Sequence, residues 1–207
     1  MSEHEHLLWS VLRTVEDHTV GRYQSHAPPL CTPAKRRATE AIASMGSEAS
    51  ADAAPLWEAV GSLLDAADGD GSVDDALWLQ GIVLEHLGVT LYEALADGQR
   101  VSEQGAEVAA SAAAASHQVI ERACAQLCER HPDPNERFYA FAHRTTPILQ
   151  RLDTLGVAFD AVFAAPLKLA FADVMGDFVA DLLPTCTSRL QFQRRKVMVH
   201  LTSALMA

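Results

Sequence analysis

The sequence contains none of the short motifs that identify the common enzyme classes. There is no GxxxxGK[ST] phosphate loop, no GxGxxG, no GxSxG, no HExxH and no CxxC, although each would have a mechanical reason to recur in its class. An uninterrupted apolar run of about 18 residues is also missing. The most apolar segment, 156–171, carries Asp160, Pro166 and Lys168. We therefore expect no membrane span.

Cysteines are few and widely spaced. The chain of 207 residues has Cys31, Cys124, Cys128 and Cys186, which is too sparse for a disulfide framework and is typical of reduced thiols. Its first residues, MSEHEHLLW, carry acids where a secretory signal would carry Lys or Arg. We expect a cytoplasmic protein in a bacterial-type cell.

Basic residues are absent from a long central stretch. Residues 38–99 contain twelve acids and no Lys or Arg, in a chain whose formal net charge is -11. Such a surface repels nucleic acid and anionic lipid and favours a basic protein partner. The acids Asp68, Asp70, Asp74 and Asp75 are the predicted partner-binding residues. The open alternative is that the acids only keep the protein soluble.

The apolar residues repeat with helical spacing, and no segment alternates convincingly with a period of two. This pattern predicts an all-α fold: an irregular bundle of seven to eight helices with a long central helix around residues 101–130. Residues 1–207 are expected to form a single domain, with a possible subdivision near 98–100. The length and an apolar content of 49% are sufficient for a sizeable core.

Several helix boundaries are marked by capping residues and prolines. Thr32 followed by Pro33 predicts a helix start, and Ser72 with Asp75 forms an approximate capping box after the DGDG turn. The first helix is expected to end near residue 20. Pro147 is expected to kink or restart the helix in which it lies.

Four side chains are candidate metal ligands in the stretch SHQVIERACAQLCERH. At about 100° per residue, Cys124, Cys128 and His131 lie on one side of a helix, with His117 near the same line. Three ligands on one straight helix cannot surround a tetrahedral metal, so other segments would have to contribute. The alternative is that both thiols line the core as small hydrophobic groups.

A di-metal carboxylate centre is not predicted. Such bundles use a Glu from each of two helices and a Glu-x-x-His pair from each of two others. The nearest matches in this chain lie at the terminus, have the wrong spacing or lack a second pair: Glu3 with His6, Glu129 with His131, and His117 with Glu121.

Two functional hypotheses follow. The leading one is a non-catalytic helical binding protein, such as an adaptor, regulator or assembly factor, that docks a basic partner through residues 38–99 and forms a homodimer. The alternative is a helical bundle that encloses a small ligand or a metal cofactor, with oxidoreductase-like chemistry. No cofactor is identified by the sequence, and nucleic-acid binding is not expected.

Overall fold

The computed structural model describes residues 1–46 and 53–206. These two ranges contain helices and no strand, so the predicted all-α class is confirmed. Glu48 and Asp52, which belong to the acidic stretch, lie outside the described residues. The helices are α1 (Glu3–His26), α2 (Pro33–Met45), α3 (Ala54–Asp68), α4 (Val73–Asp75), α5 (Glu85–Ala96), α6 (Glu103–Arg130), α7 (Pro134–Leu149), α8 (Leu152–Phe163), α9 (Phe171–Pro184) and α10 (Arg194–Leu205).

The predicted helix starts at Thr32 and Ser72 are confirmed by capping hydrogen bonds. The backbone N–H of Lys35 donates to the Thr32 hydroxyl at 3.0 Å, and that of Asp75 donates to the Ser72 hydroxyl at 3.1 Å. Each bond satisfies one of the N–H groups that have no partner in a helix's first turn. The starts of α2 and α4 are therefore fixed locally.

One predicted boundary was wrong. Helix α1 continues to His26, well past residue 20, because Tyr23 is fully buried and its contacts hold the last turns in place. In this helix, packing outweighs the local sequence signal. Pro147 lies inside α7, which ends two residues later at Leu149, and the expected kink stays a prediction.

A π-helical segment, Ala76–Leu84, joins α4 to α5, and all of its residues are buried. A helix that is apolar on every side is expected to be buried on every side. It packs against α6, where Gly81 allows close approach: a Cβ at this position would lie 2.9 Å from the Cβ of Ala123 and 3.0 Å from Cδ1 of Leu30. Because Gly81 has no side chain, the π-helical segment and α6 can pack closely.

The core is a continuous cluster of buried apolar side chains that extends from Leu8 to Ala204. Helix α1 packs on α2, α2 on α6, and α6 along α5, while α8 and α9 cover the side formed by α3 and α5. Within the two ranges that the structure describes, no helix combines the length and the apolar character needed to cross a membrane.

We predict that Gly81→Ala destabilises the protein by about 1–3 kcal/mol, because the new methyl group overpacks the contact with Ala123. The matched control is Gly61→Ala in α3, where an added Cβ meets nothing within 4 Å. That control should stabilise the helix by about 0.5–1 kcal/mol. Urea unfolding followed by far-UV circular dichroism measures both changes. Equal stabilities of the two variants would contradict the packing argument.

Candidate ligand-binding site

Three charged side chains from three helices meet inside the bundle. Glu16 of α1, Lys35 of α2 and Glu85 of α5 are 5%, 2% and 2% exposed. The Lys35 Nζ lies 2.8 Å from Oε2 of Glu16 and 2.8 Å from Oε2 of Glu85. Glu and Lys are rarely this buried unless they are paired. One ammonium therefore bridges two carboxylates.

Two tyrosines complete the hydrogen bonding of the carboxylates. The Tyr23 hydroxyl donates to Oε1 of Glu85 at 2.8 Å, and the Tyr92 hydroxyl donates to Oε1 of Glu16 at 2.7 Å. Both hydroxyls are buried, so these bonds also satisfy the tyrosines. The tyrosine of α1 thus donates to the carboxylate of α5, and the tyrosine of α5 donates to the carboxylate of α1.

Two further hydroxyl groups lie at the edge of the cluster. Thr39 donates to Oε2 of Glu16 at 3.2 Å, and the Lys35 Nζ donates to the hydroxyl of Ser116 on α6 at 3.4 Å. The ammonium also donates to Oε1 of Glu16 at 2.9 Å. Side chains from four helices, α1, α2, α5 and α6, thus contribute to the cluster.

The helices place these residues in a simple pattern. Glu16 and Tyr23 are seven residues apart on α1, and Glu85 and Tyr92 are seven apart on α5. A spacing of seven keeps two side chains on the same helical stripe. Lys35 lies in the first turn of α2, where a cation is opposed by the helix dipole, so the two carboxylates offset an unfavourable position.

Burial and the neighbouring charges shift the pKa values of the cluster. Burial alone would lower the pKa of Lys35, but the charges of Glu16 and Glu85 and their hydrogen bonds outweigh it and raise that pKa above its ordinary 10.5. Burial, reinforced by the charge of Glu16, raises the pKa of Glu85. Burial and the adjacent carboxylates also raise the pKa values of Tyr23 and Tyr92 well above 10.0.

An apolar cavity of about 70 Å³ adjoins the cluster. Glu16, Lys35, Glu85 and Tyr92 form its polar border. Its remaining wall is almost entirely aliphatic and aromatic, with contributions from Val11, Leu12, Val15, Thr19, Val60, Leu63, Leu84, Leu87, Gly88, Leu91, Leu155, Phe159, Phe171 and Val174. An apolar cavity with a few polar groups on one side is the usual form of a small-molecule site.

The four predicted metal ligands do not come together. The His117 Nε2 lies 3.2 Å from Oε1 of Glu93 on the surface, and Cys124 is buried in the core with its pKa raised to about 12, chiefly by burial. The sulfur of Cys128 contacts a backbone carbonyl, and His131 pairs with a carboxylate. Within residues 1–46 and 53–206, no group of three or more metal-binding side chains is found.

The predicted partner-binding acids form ion pairs and hydrogen bonds with other residues of the same chain. The ion pairs are Asp68 with His18 (2.8 Å) and Arg22 (3.2 Å), Asp74 with Arg130 (2.7 Å) and His131 (2.9 Å), and Asp75 with Arg144. Asp70 is exposed and accepts a hydrogen bond from the Ser72 N–H at 2.9 Å. These acids stabilise the turn between α3 and α4 and its contacts with α1, α6 and α7.

Comparison with solved structures gives an informative likeness. No family model matches the chain, and no curated protein matches it. Among solved structures, it is similar to a Synechococcus protein described as "Protein 19 with aldehyde deformylating oxidase activity", with a TM-score of 0.74, 14% identity and 98% coverage of both chains. At this identity the likeness shows a shared fold.

This likeness corrects the leading hypothesis from the sequence. A non-catalytic adaptor that docks through its acidic stretch is contradicted, because the fold is shared over nearly the whole chain with a protein that has oxidase activity. Most of the acids that were to carry the docking are also already paired. The findings favour the alternative, a helical bundle that encloses a small ligand or a metal cofactor, with oxidoreductase-like chemistry. A homodimer is not tested by a single chain and stays a prediction.

Sequence reasoning missed the cluster itself. Glu85 was counted among the acids of a solvated surface, and Lys35 and Glu16 were not singled out. A signal was present in the repeated Glu-x6-Tyr spacing, Glu16 to Tyr23 and Glu85 to Tyr92. Each pair places an acid and a hydroxyl donor on one helix face, and each donor bonds the acid of the other pair.

We predict that Tyr92→Phe lowers the free energy of unfolding by about 1–3 kcal/mol, because it leaves a buried carboxylate oxygen of Glu16 with one donor fewer. The control is Tyr139→Phe, since Tyr139 is 65% exposed. That change should stay within about 0.5 kcal/mol. Chemical denaturation measures both. A Tyr92→Phe protein as stable as the control would show that the bond contributes nothing.

The raised pKa values also predict a loss of stability at alkaline pH. Tyr23 and Tyr92 keep their protons in the fold above the ordinary pKa of 10.0, and Lys35 keeps its proton above 10.5. Their contribution is complete below these values and is lost as the pH rises through the folded-state pKa values. The unfolding free energy should therefore decline above about pH 10.

The matched comparison is the Tyr23→Phe/Tyr92→Phe variant, which lacks both titrating hydroxyls. Urea unfolding across the alkaline range should show a shallower decline for the variant than for the wild type. Parallel curves would mean that the two tyrosines do not titrate differently in the folded and unfolded states.

Proposed function

We propose that the protein binds a small, slender, largely apolar molecule with an uncharged polar end in the cavity between α1, α3, α5, α8 and α9. The observation that carries this proposal is the apolar cavity with a hydrogen-bonding border of Glu16, Lys35, Glu85 and Tyr92. A slender chain fits better than a ring, because the cavity is narrow, at about 70 Å³ against 150 Å³ for an engineered cavity that accommodates benzene, and is partly open, so that the far end of a chain can extend out of it.

The charge of the border favours an uncharged head group. Two carboxylates and one ammonium leave no excess positive charge for an anionic ligand, and a cationic ligand would lie beside the Lys35 ammonium. A carbonyl or hydroxyl oxygen needs only one donor. The weakest contact of Lys35, at 3.4 Å to Ser116, is the one that such an oxygen can replace at least cost.

The second candidate is an enzyme that acts on an aliphatic aldehyde. It is supported by the fold shared with a protein of aldehyde deformylating oxidase activity over 98% of both chains. An aldehyde also has the shape and the uncharged acceptor oxygen that the cavity favours. Glu85, whose pKa is raised by burial, is the residue at the border best suited to exchange a proton with a bound molecule.

The test is a binding series with hexanal, 1-hexanol and hexanoate, followed by ligand-observed NMR. Hexanal and 1-hexanol should bind, and hexanoate should bind at least about tenfold more weakly, because its charge is desolvated next to two carboxylates. Preferred binding of hexanoate would contradict the proposed head group. Consumption of hexanal, measured by gas chromatography with and without O₂, tests the enzymatic candidate.

Two valine substitutions locate the binding. Val15→Phe fills the cavity from α1 and should weaken hexanal and 1-hexanol binding by at least about tenfold. Val157→Phe is the matched control, since Val157 is 70% exposed and does not line the cavity. Equal affinities of the two variants would place the ligand elsewhere.

A further inference from the structure

Lys35 of α2 contacts polar side chains from three other helices: Glu16 from α1, Glu85 from α5 and Ser116 from α6. A di-metal carboxylate bundle has the same general layout but needs four Glu and two His, each His three residues after a Glu. The residues three positions further along are Thr19, Ala38, Gly88 and Val119. The cluster therefore has two carboxylates and no imidazole.

His86, which follows Glu85 in the sequence, makes both of its ring hydrogen bonds outside the cluster. The Nδ1 of His86 lies 2.7 Å from the backbone oxygen of Ile82, and Nε2 lies 3.0 Å from the hydroxyl of Thr185. A carbonyl oxygen only accepts, so Nδ1 donates and Nε2 accepts from Thr185. Burial lowers the pKa of His86 to about 4, which keeps the ring neutral in these two bonds.

The place of a bridging metal ion is taken by the Lys35 ammonium. Its nitrogen lies 2.8 Å from a carboxylate oxygen of Glu16 and 2.8 Å from one of Glu85. A divalent ion bound by the same oxygens would meet this positive charge at contact distance, in a buried environment where like charges repel strongly. The donor set therefore does not fit a metal.

We infer that Lys35 is the built-in cation of this centre: it supplies the positive charge between Glu16 and Glu85 in place of a divalent metal ion, and it excludes such an ion. The inference concerns the chain's own residues and holds whether or not the cavity binds the proposed ligand. It also separates this centre from the di-metal chemistry that other helical bundles use.

The first measurement is the metal content of the wild-type protein. Untagged protein, purified without chelator and equilibrated anaerobically with Fe²⁺ or with Mn²⁺, is desalted and analysed by native mass spectrometry. Retention should stay below about one tenth of an ion per chain, since residues 1–46 and 53–206 contain no complete ligand set. Stoichiometric metal that disappears in Glu16→Gln and in Glu85→Gln would overturn the inference, and this result does not depend on the folding of any Lys35 variant.

The second measurement removes the ammonium. Lys35→Ala should lower the unfolding temperature, because two carboxylates then face each other without a cation. Mn²⁺ should raise the unfolding temperature of this variant but not that of the wild type, by occupying the vacated place. The Mn²⁺ effect should vanish in Glu16→Gln/Lys35→Ala.

The matched control is Lys196→Ala, a lysine near the surface whose ammonium contacts Asn135 and the ring of Tyr139. It should change the unfolding temperature little, with or without Mn²⁺. A folded Lys35→Ala protein that is as stable as this control, or that gains nothing from Mn²⁺, would also overturn the inference.

Discussion

The ammonium of Lys35 between the carboxylates of Glu16 and Glu85 is the interaction on which the interior depends. Burying three charges is costly, and the cost is offset only if the geometry is good and the remaining lone pairs are satisfied. Here the tyrosine hydroxyls of α1 and α5 meet that condition by crossing to each other's carboxylate. Helices α1, α2 and α5 are thereby held in one register, since a shift of any of them leaves a buried charge unpaired.

This arrangement also explains why an apolar cavity can lie beside buried charges. The carboxylate oxygens have donors within the cluster, so the opposite wall needs no polar group or water to satisfy them. Phe159, Phe171 and the leucines around them can then line the space. The result is a low-dielectric site in which the pKa of Glu85 is raised and the contact with Ser116, at 3.4 Å, is the weakest that Lys35 makes.

The sequence was informative where the signal is local. The caps at Thr32 and Ser72 were predicted because capping depends on residues within one turn. The polar cluster was not, because Lys35, Glu16 and Glu85 are far apart in the chain and no local pattern says that they face one another. The π-helical segment was missed for a related reason: apart from Gln80 its side chains are apolar, which indicates burial but not the helical pitch.

The acidic stretch shows why segregation of charge along a sequence differs from segregation in space. The cations that partner these acids come from outside residues 38–99: Lys35 for Glu85, Arg22 for Asp68, Arg130 for Asp74 and Arg144 for Asp75. An ion pair between distant segments joins two helices, whereas an ion pair between near neighbours lies within a single helix. Acids without bases nearby in the sequence can therefore form ion pairs only with distant segments. In this chain such pairs join α3, α4 and α5 to α1, α2, α6 and α7.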